Sequence, residues 1–182
     1  MPNYCDYEMK IRGSKDAIAR VLECLKANYD YGMGKPEHKH FFRVFSAYEN
    51  DEMENNDDGT YTLFVYGDCA WSVYSCMCSG EHTYYNDLKE RYPDIFMGTT
   101  LEEQSKDCEI EVFSEEEGME FSEHLLYKNG ECLIDDTADV EQAGYDSNGK
   151  ITTDIDWDTY EDEVVVLNPH RKNDTEDYLW TI

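Results

Sequence analysis

Cations are what this chain has least of. Lys and Arg number 15 against 42 Asp and Glu in 182 residues, a formal charge of −27. A protein that grips nucleic acid directly sets basic side chains against phosphates, so the charge argues against that class of function first. Long apolar runs are absent as well: no stretch approaches the roughly 18 apolar residues of a membrane-spanning helix. The start, Met1-Pro2-Asn3-Tyr4-Cys5, has neither the basic nor the apolar region of an export signal, which leads us to expect a cytosolic chain. Leu, Ile, Val and Phe together make only 34 of 182 residues, which at this charge borders on a disordered composition. The 15 Tyr and 3 Trp point the other way, because aromatic rings bury large areas and these are spread along the chain. The expectation is one folded domain with a modest core, a small appendage and an anionic surface.

Seven cysteines, an odd number without an export signal, read as reduced thiols that mostly serve as small apolar groups. Cys76-x-Cys78 followed by His82 could hold a metal, but no second pair stands at zinc-finger spacing. No metal or other cofactor is therefore expected. Asp146-Ser147-Asn148-Gly149-Lys150-Ile151 copies part of a calcium loop, yet Gly144 and Ile155 fall where its two key ligands belong. A tight hairpin turn accounts for the same residues.

Charge is unevenly placed. Residues 1–40 carry net +1, residues 41–100 net −8 and residues 101–182 net −20. Tyr7, Met9 and Ile11 alternate with polar neighbours, the period of a half-buried strand. Gly13-Ser14 breaks it, and Ser14 can cap a helix bearing Ile18, Val21, Leu22 and Leu25 on one stripe. Strands are expected at Phe41 to Tyr48 and Thr60 to Tyr66, joined by a long acidic tip at 49–59. Gly67 to Cys78 fits strand or helix equally. Tyr85, Leu88 and Tyr92 predict a short helix ending before Pro93, and Thr100-Leu101-Glu102-Glu103 has capping-box spacing. Ile110 and Val112 mark another strand, and Lys128-Asn129-Gly130 a hairpin between Phe121 to Tyr127 and Glu131 to Asp135. The order predicts an α+β antiparallel sheet with helices on one face over residues 1–136, and an acidic extension over 137–182. In that extension Val164 to Leu167 is expected to return a strand to the sheet, docking it.

The opening Met1-Pro2-Asn3-Tyr4-Cys5, the alternating strand and Gly13-Ser14-Lys15-Asp16 resemble the YubB-like ferredoxin-fold family of plasmids and phages. Members typically begin Met-Pro-Asn-Trp-Cys and share a later Trp motif, to which Trp71-Ser72-Val73 could correspond. Tyr4 stands where the family usually has Trp. The resemblance implies a ferredoxin-like sheet and a mobile genetic element as source; the family has no agreed activity, so no catalytic residue transfers. By size, charge and that context the chain also resembles the anti-CRISPR proteins that inhibit type II RNA-guided DNA endonucleases.

The anionic features are Glu115-Glu116-Glu117, Asp135-Asp136, and Asp154, Asp156 and Asp158 leading into Glu161-Asp162-Glu163. On an extended strand Asp154, Asp156 and Asp158 would share one face at about 6.6 Å spacing, and Glu161 with Glu163 would bring the row towards the charge density of a nucleic-acid strand. Such a row fits the basic channel of a nucleic-acid enzyme; a solvated face that aids solubility is the plainer explanation of the same residues. His38-Lys39-His40 offers a different chemistry. Two imidazoles on one face could act as base and acid in metal-independent RNA cleavage, with Lys39 or Arg43 steadying the phosphate. Carboxylates could instead hold Mg²⁺ for hydrolysis. Trp71, Tyr74, Tyr84 and Tyr85 could stack on bases, but without surrounding cations they read as core or interface.

The leading expectation is a protein-binding inhibitor and not an enzyme, with no direct nucleic-acid contact and no membrane. Its partner would be a basic nucleic-acid enzyme, which the resemblance narrows to a guide-loaded type II CRISPR effector in a bacterial host cytoplasm. Alternatives are a ribonuclease that truncates guide RNA, or an accessory protein of a mobile element without a nuclease partner.

Overall fold

A computed structural model describes residues 3–27, 38–116, 118–162, 164–172 and 177–182. Strand β1 (Tyr4–Gly13) buries Cys5, Tyr7, Met9 and Ile11 and turns Asp6 and Glu8 outward, the alternation read from the sequence. Ser14 ends it with extended dihedrals and accepts the Ala17 N–H at 3.2 Å, starting helix α1 (Lys15–Lys26). The buried side of α1 is Ala17, Ile18, Val21, Cys24 and Leu25, so the amphipathic stripe of the sequence becomes the packing face.

Strands β2 (Val44–Asn55) and β3 (Tyr61–Ala70) follow, then helices α2 (Val73–Met77), α3 (Tyr84–Arg91) and α4 (Leu101–Gln104). Strands β4 (Cys108–Glu116), β5 (Phe121–Lys128) and β6 (Glu131–Asp139) complete one six-stranded sheet. Its order is β2-β3-β1-β4-β5-β6, and every neighbouring pair is antiparallel. The α+β reading holds. Helix residues Val21, Leu25, Val73, Met77 and Leu101 share one core with Met9, Ile11, Val65, Val112 and Leu125 of the sheet.

Local details differ from the sequence reading where backbone geometry intervenes. The ambiguous stretch after Gly67 splits at Trp71, whose φ of 70° ends β3 before Ser72 caps α2. The acidic hairpin tip is short, because β2 runs on to Asn55 and Asn56 closes the turn on Thr60 (2.9 Å). Thr100 accepts the Glu103 N–H at 3.3 Å, but Glu103 bonds Thr99 and Lys39 and so makes only half a capping box. Asn129 and Gly130, at φ 55° and 78°, form the β5–β6 turn as expected.

Gly67 lies where β2 and β3 press closest. A Cβ there would stand 2.1 Å from the Ser46 carbonyl oxygen and 2.8 Å from the Tyr7 hydroxyl. Since backbone cannot move aside cheaply, Gly67→Ala is expected to lose about 2–3 kcal/mol of stability, read as a lower urea midpoint; an unchanged midpoint would refute that register.

The chain then leaves the large sheet. Strands β7 (Glu141–Tyr145), β8 (Ile151–Thr152) and β9 (Val165–Leu167) form a separate three-stranded sheet in the order β8-β7-β9. The Val164 to Leu167 segment thus makes a strand, but it pairs with Glu141 to Ala143 and not with the main sheet. At the point where the chain leaves β6 the Val140 N–H donates to Glu120 O (2.7 Å), and the strand that follows takes β9 as its partner. Beyond β9 the described residues 168–172 and 177–182 lie on the face of the large sheet opposite the helices. There Tyr178 stacks on Phe113 (4.6 Å between ring centres, 8° between planes), and Trp180 meets Phe64 and Phe113 edge-on.

Candidate anionic interface

The acids singled out in the sequence fall into two groups with different roles. Glu115 accepts from Arg171 at 2.8 Å and from Asn168 Nδ2 at 2.9 Å, so it tethers the C-terminal segment. Glu116 is buried and accepts the N–H groups of Gly118 and Met119, holding the turn into β5. Both carboxylates are spent inside the chain. Glu117 and Glu163 lie outside the described residues.

Asp154, Asp156, Asp158, Glu161 and Asp162 are all exposed, and among the described residues none takes part in an ion pair. They do not form the extended row that the alternation implied. Strand β8 stops at Thr152, the Asp154 N–H donates to Thr152 Oγ1 (3.1 Å), and the Thr159 N–H closes a turn on Asp156 O (3.0 Å). The short Thr152 side chain competes for a backbone group in this way, and Asp is a poor strand former. The result is an anionic loop.

That loop is anchored by aromatics. Trp157 meets Tyr160 edge-on at 5.5 Å, and the Tyr160 hydroxyl accepts the Tyr145 N–H at 2.8 Å. Tyr160 lies against Gly144, where a Cβ would come within 2.4 Å of the ring. In Gly144→Ala the ring must swing out, so proteolytic cleavage between residues 150 and 162 should accelerate about tenfold while global stability drops by less than about 1 kcal/mol. Limited proteolysis beside a thermal melt separates the two effects. Next to the loop, Asp146 accepts the N–H groups of Asn148 and Lys150, and these bonds hold its carboxyl below the ordinary range. The calcium-like motif is thus a hairpin turn, with Gly149 at φ 74°.

The enzymatic constellations do not assemble. His40 is buried, edge-on to Phe42 at 5.1 Å, and burial lowers its pKa. His38 is exposed beside Glu23 at 3.2 Å, so the two imidazoles share no surface. The Cys76 thiol donates to Ala70 O (3.0 Å) and Cys78 meets the Tyr127 hydroxyl (3.1 Å), both in the core, whereas His82 faces solvent. Among the described residues no group of three or more His, Cys, Asp or Glu is placed to hold a metal, and no helix is long and apolar enough to cross a membrane. Tyr85 is buried while Trp71 is exposed, so these aromatics, read as core or interface, are divided between the interior and the surface.

Two polar assemblies have no signature in the sequence. Ser122, His170 and Asp136 are linked in a chain, with His170 Nε2 3.1 Å from Asp136 and Ser122 Oγ also bonded to Asn168 (3.0 Å). The residue types match a nucleophile triad. Ser122, however, is completely buried and lines none of the cavities formed by described residues around Gly67, Thr100 or Asp58, so the chain is a clasp that fastens Asn168 and His170 to β5 and β6. The second assembly is Glu111, fully buried on β4, whose carboxylate accepts from His124 (2.8 Å), the Thr181 N–H (2.9 Å) and hydroxyl (2.7 Å), and the Ile182 N–H (3.0 Å). Burial pushes the Glu111 pKa up, but these donors outweigh it and hold the carboxyl below its usual value. Partners separated by 48 and 70 positions are invisible to periodicity.

No protein-family model, curated protein or solved structure matches the chain.

Proposed function

We propose that the chain is an inhibitor of the anti-CRISPR type, which binds a guide-loaded type II RNA-guided DNA endonuclease and blocks DNA binding or cleavage. The observation that carries this reading is the Asp154 to Asp162 loop: five exposed acids, free of ion pairs among the described residues and held in place by Tyr160. A positively charged channel that grips a heteroduplex through its backbone offers such a loop a complementary surface. A solvated face alone would not require the loop to be anchored. The protein would act in the host cytoplasm, contact no nucleic acid itself and use no cofactor. We assign its sheet to the ferredoxin-like class; the order β2-β3-β1-β4, with α1 and α2–α4 as crossovers, supports that assignment through two interleaved β-α-β units. A plasmid or phage source accords with the N-terminal motif.

The test is a DNA-cleavage assay with a guide-loaded type II effector, titrating this protein and running the guide RNA on a denaturing gel. Inhibition that saturates near one equivalent with intact guide supports the reading. Shortened guide at substoichiometric dose would make the protein a ribonuclease, and no inhibition would return it to an accessory role.

A further inference from the structure

We infer that an aromatic surface around Arg43 and Trp71 docks a segment of a partner protein that carries a carboxylate beside an aromatic side chain. This goes beyond the inhibitor reading, because it assigns a contact outside the anionic loop and of the opposite charge.

Two large residues here hold a backbone conformation that glycine or asparagine adopts more readily. Arg43, just before β2, has φ 51°, and Trp71, just after β3, has φ 70°. A positive φ presses Cβ against the backbone, and in a bulky residue it is a genuine outlier. The two positions are neighbours, for the Ala70 N–H donates to Arg43 O (3.1 Å) and the Trp71 N–H to Asn3 O (3.0 Å). Core packing does not explain the choice of residues, since Arg43 is exposed and Trp71 is 44% exposed. Strain of this kind persists only where the surrounding structure enforces it, and it gathers at binding sites.

The side chains around the strained pair are aromatic and open to solvent. Tyr4, whose strand partner is Ala70, is 63% exposed and meets Phe45, 39% exposed, at 5.1 Å between ring centres. The Arg43 guanidinium stands 5.9 Å from the Phe45 ring and 5.3 Å from that of Tyr84, the first residue of α3. Arg12, Arg20 and Arg171 each pair with a carboxylate. Arg43 takes part in no ion pair among the described residues, although the chain has 42 acids to 15 bases. A guanidinium held over rings keeps its charge and its forked donors for a carboxylate brought by another molecule. Clustered exposed aromatics mark interaction surfaces, and Trp, Tyr and Arg dominate protein–protein hot spots. One cation in a chain of net −27 does not hold a run of phosphates. A protein carboxylate is the matching charge.

A titration of the ¹⁵N-labelled full chain with a capped Phe-Glu-Phe peptide tests the assignment. The expected result is saturable shifts of the Trp71 indole N–H and of the Val44 and Phe45 amides, with the capped Phe-Gln-Phe peptide binding about tenfold more weakly. Arg43→Asn places at φ 51° a residue type that accepts it. That variant should melt no lower than wild type and yet bind the Glu peptide about tenfold more weakly, the mark of a residue kept for binding and not for the fold. Should it fail to fold, Arg43→Gln, which keeps the stem and removes the charge, must weaken binding by itself. No shift at Trp71, equal affinity for the two peptides, or equal shifts with adenosine monophosphate overturn the assignment. Because the probe is a peptide and not a nuclease, the outcome is independent of the cleavage assay.

Discussion

Glu111→Ala should destabilise the protein by about 3 kcal/mol, lowering the melting temperature by roughly 10 °C in a chain of this size. The variant strands His124 and the Thr181 and Ile182 N–H groups, and it empties a fully buried site on β4. Glu111→Gln retains one acceptor but turns an amide N–H towards backbone donors, so it should recover only part of the loss. Thermal melts of both variants measure this. A loss below about 1 kcal/mol would mean that the C-terminal segment is not seated on β4.

The same carboxylate contributes to the acid side of the stability profile. Its folded pKa lies below the unfolded value of about 4.3, so its contribution is present above that value and is lost as pH falls through the folded pKa. Glu123 works in the opposite sense. Burial raises its pKa despite bonds from Ser114 (2.5 Å) and the Val73 N–H (2.8 Å). Its contribution is complete below the unfolded value and is lost as pH rises through the folded one. Urea midpoints of wild type and Glu111→Ala should therefore converge as the pH is lowered past about 4; parallel curves would remove Glu111 from the account.

Replacing Asp154, Asp156 and Asp158 together by Asn should raise the concentration needed for half-inhibition of a type II effector about tenfold at low salt, as three exposed charge contacts of about 0.5 kcal/mol each predict. The three side chains are exposed and none holds the fold, so the melting temperature should stay put or rise slightly as self-repulsion is relieved. The gap between variant and wild type should narrow as salt screens the contacts. Changing His38 and His40 to Gln should leave inhibition as it was. Full activity in the triple variant would exclude this loop as the contact surface.

Much of the helix-bearing layer was legible without coordinates. Tyr7, Met9 and Ile11 announced β1 by alternation, Ser14 and the stripe from Ile18 to Leu25 announced α1, and Asn129-Gly130 announced the β5–β6 turn. These are properties of residues within one or two turns of each other. The candidate loop was legible as charge but not as shape, since Asp154 to Asp158 alternates like a strand while the Thr152 hydroxyl and the Asp156 carbonyl accept backbone N–H groups and bend the chain into a turn.

Composition, charge and local period thus determined the kind of protein this is: folded, α+β, anionic and poor in means to hold phosphate. Tertiary structure alone decided which acids face water. Glu115, Glu116 and Glu111 look no different in the sequence from Asp154 or Glu161, yet the first three are spent on Arg171, the β4–β5 turn and the Thr181 backbone. The physical reason is distance along the chain. A carboxylate's role depends on which donors reach it from 53 or 70 positions away, and only the fold brings them there.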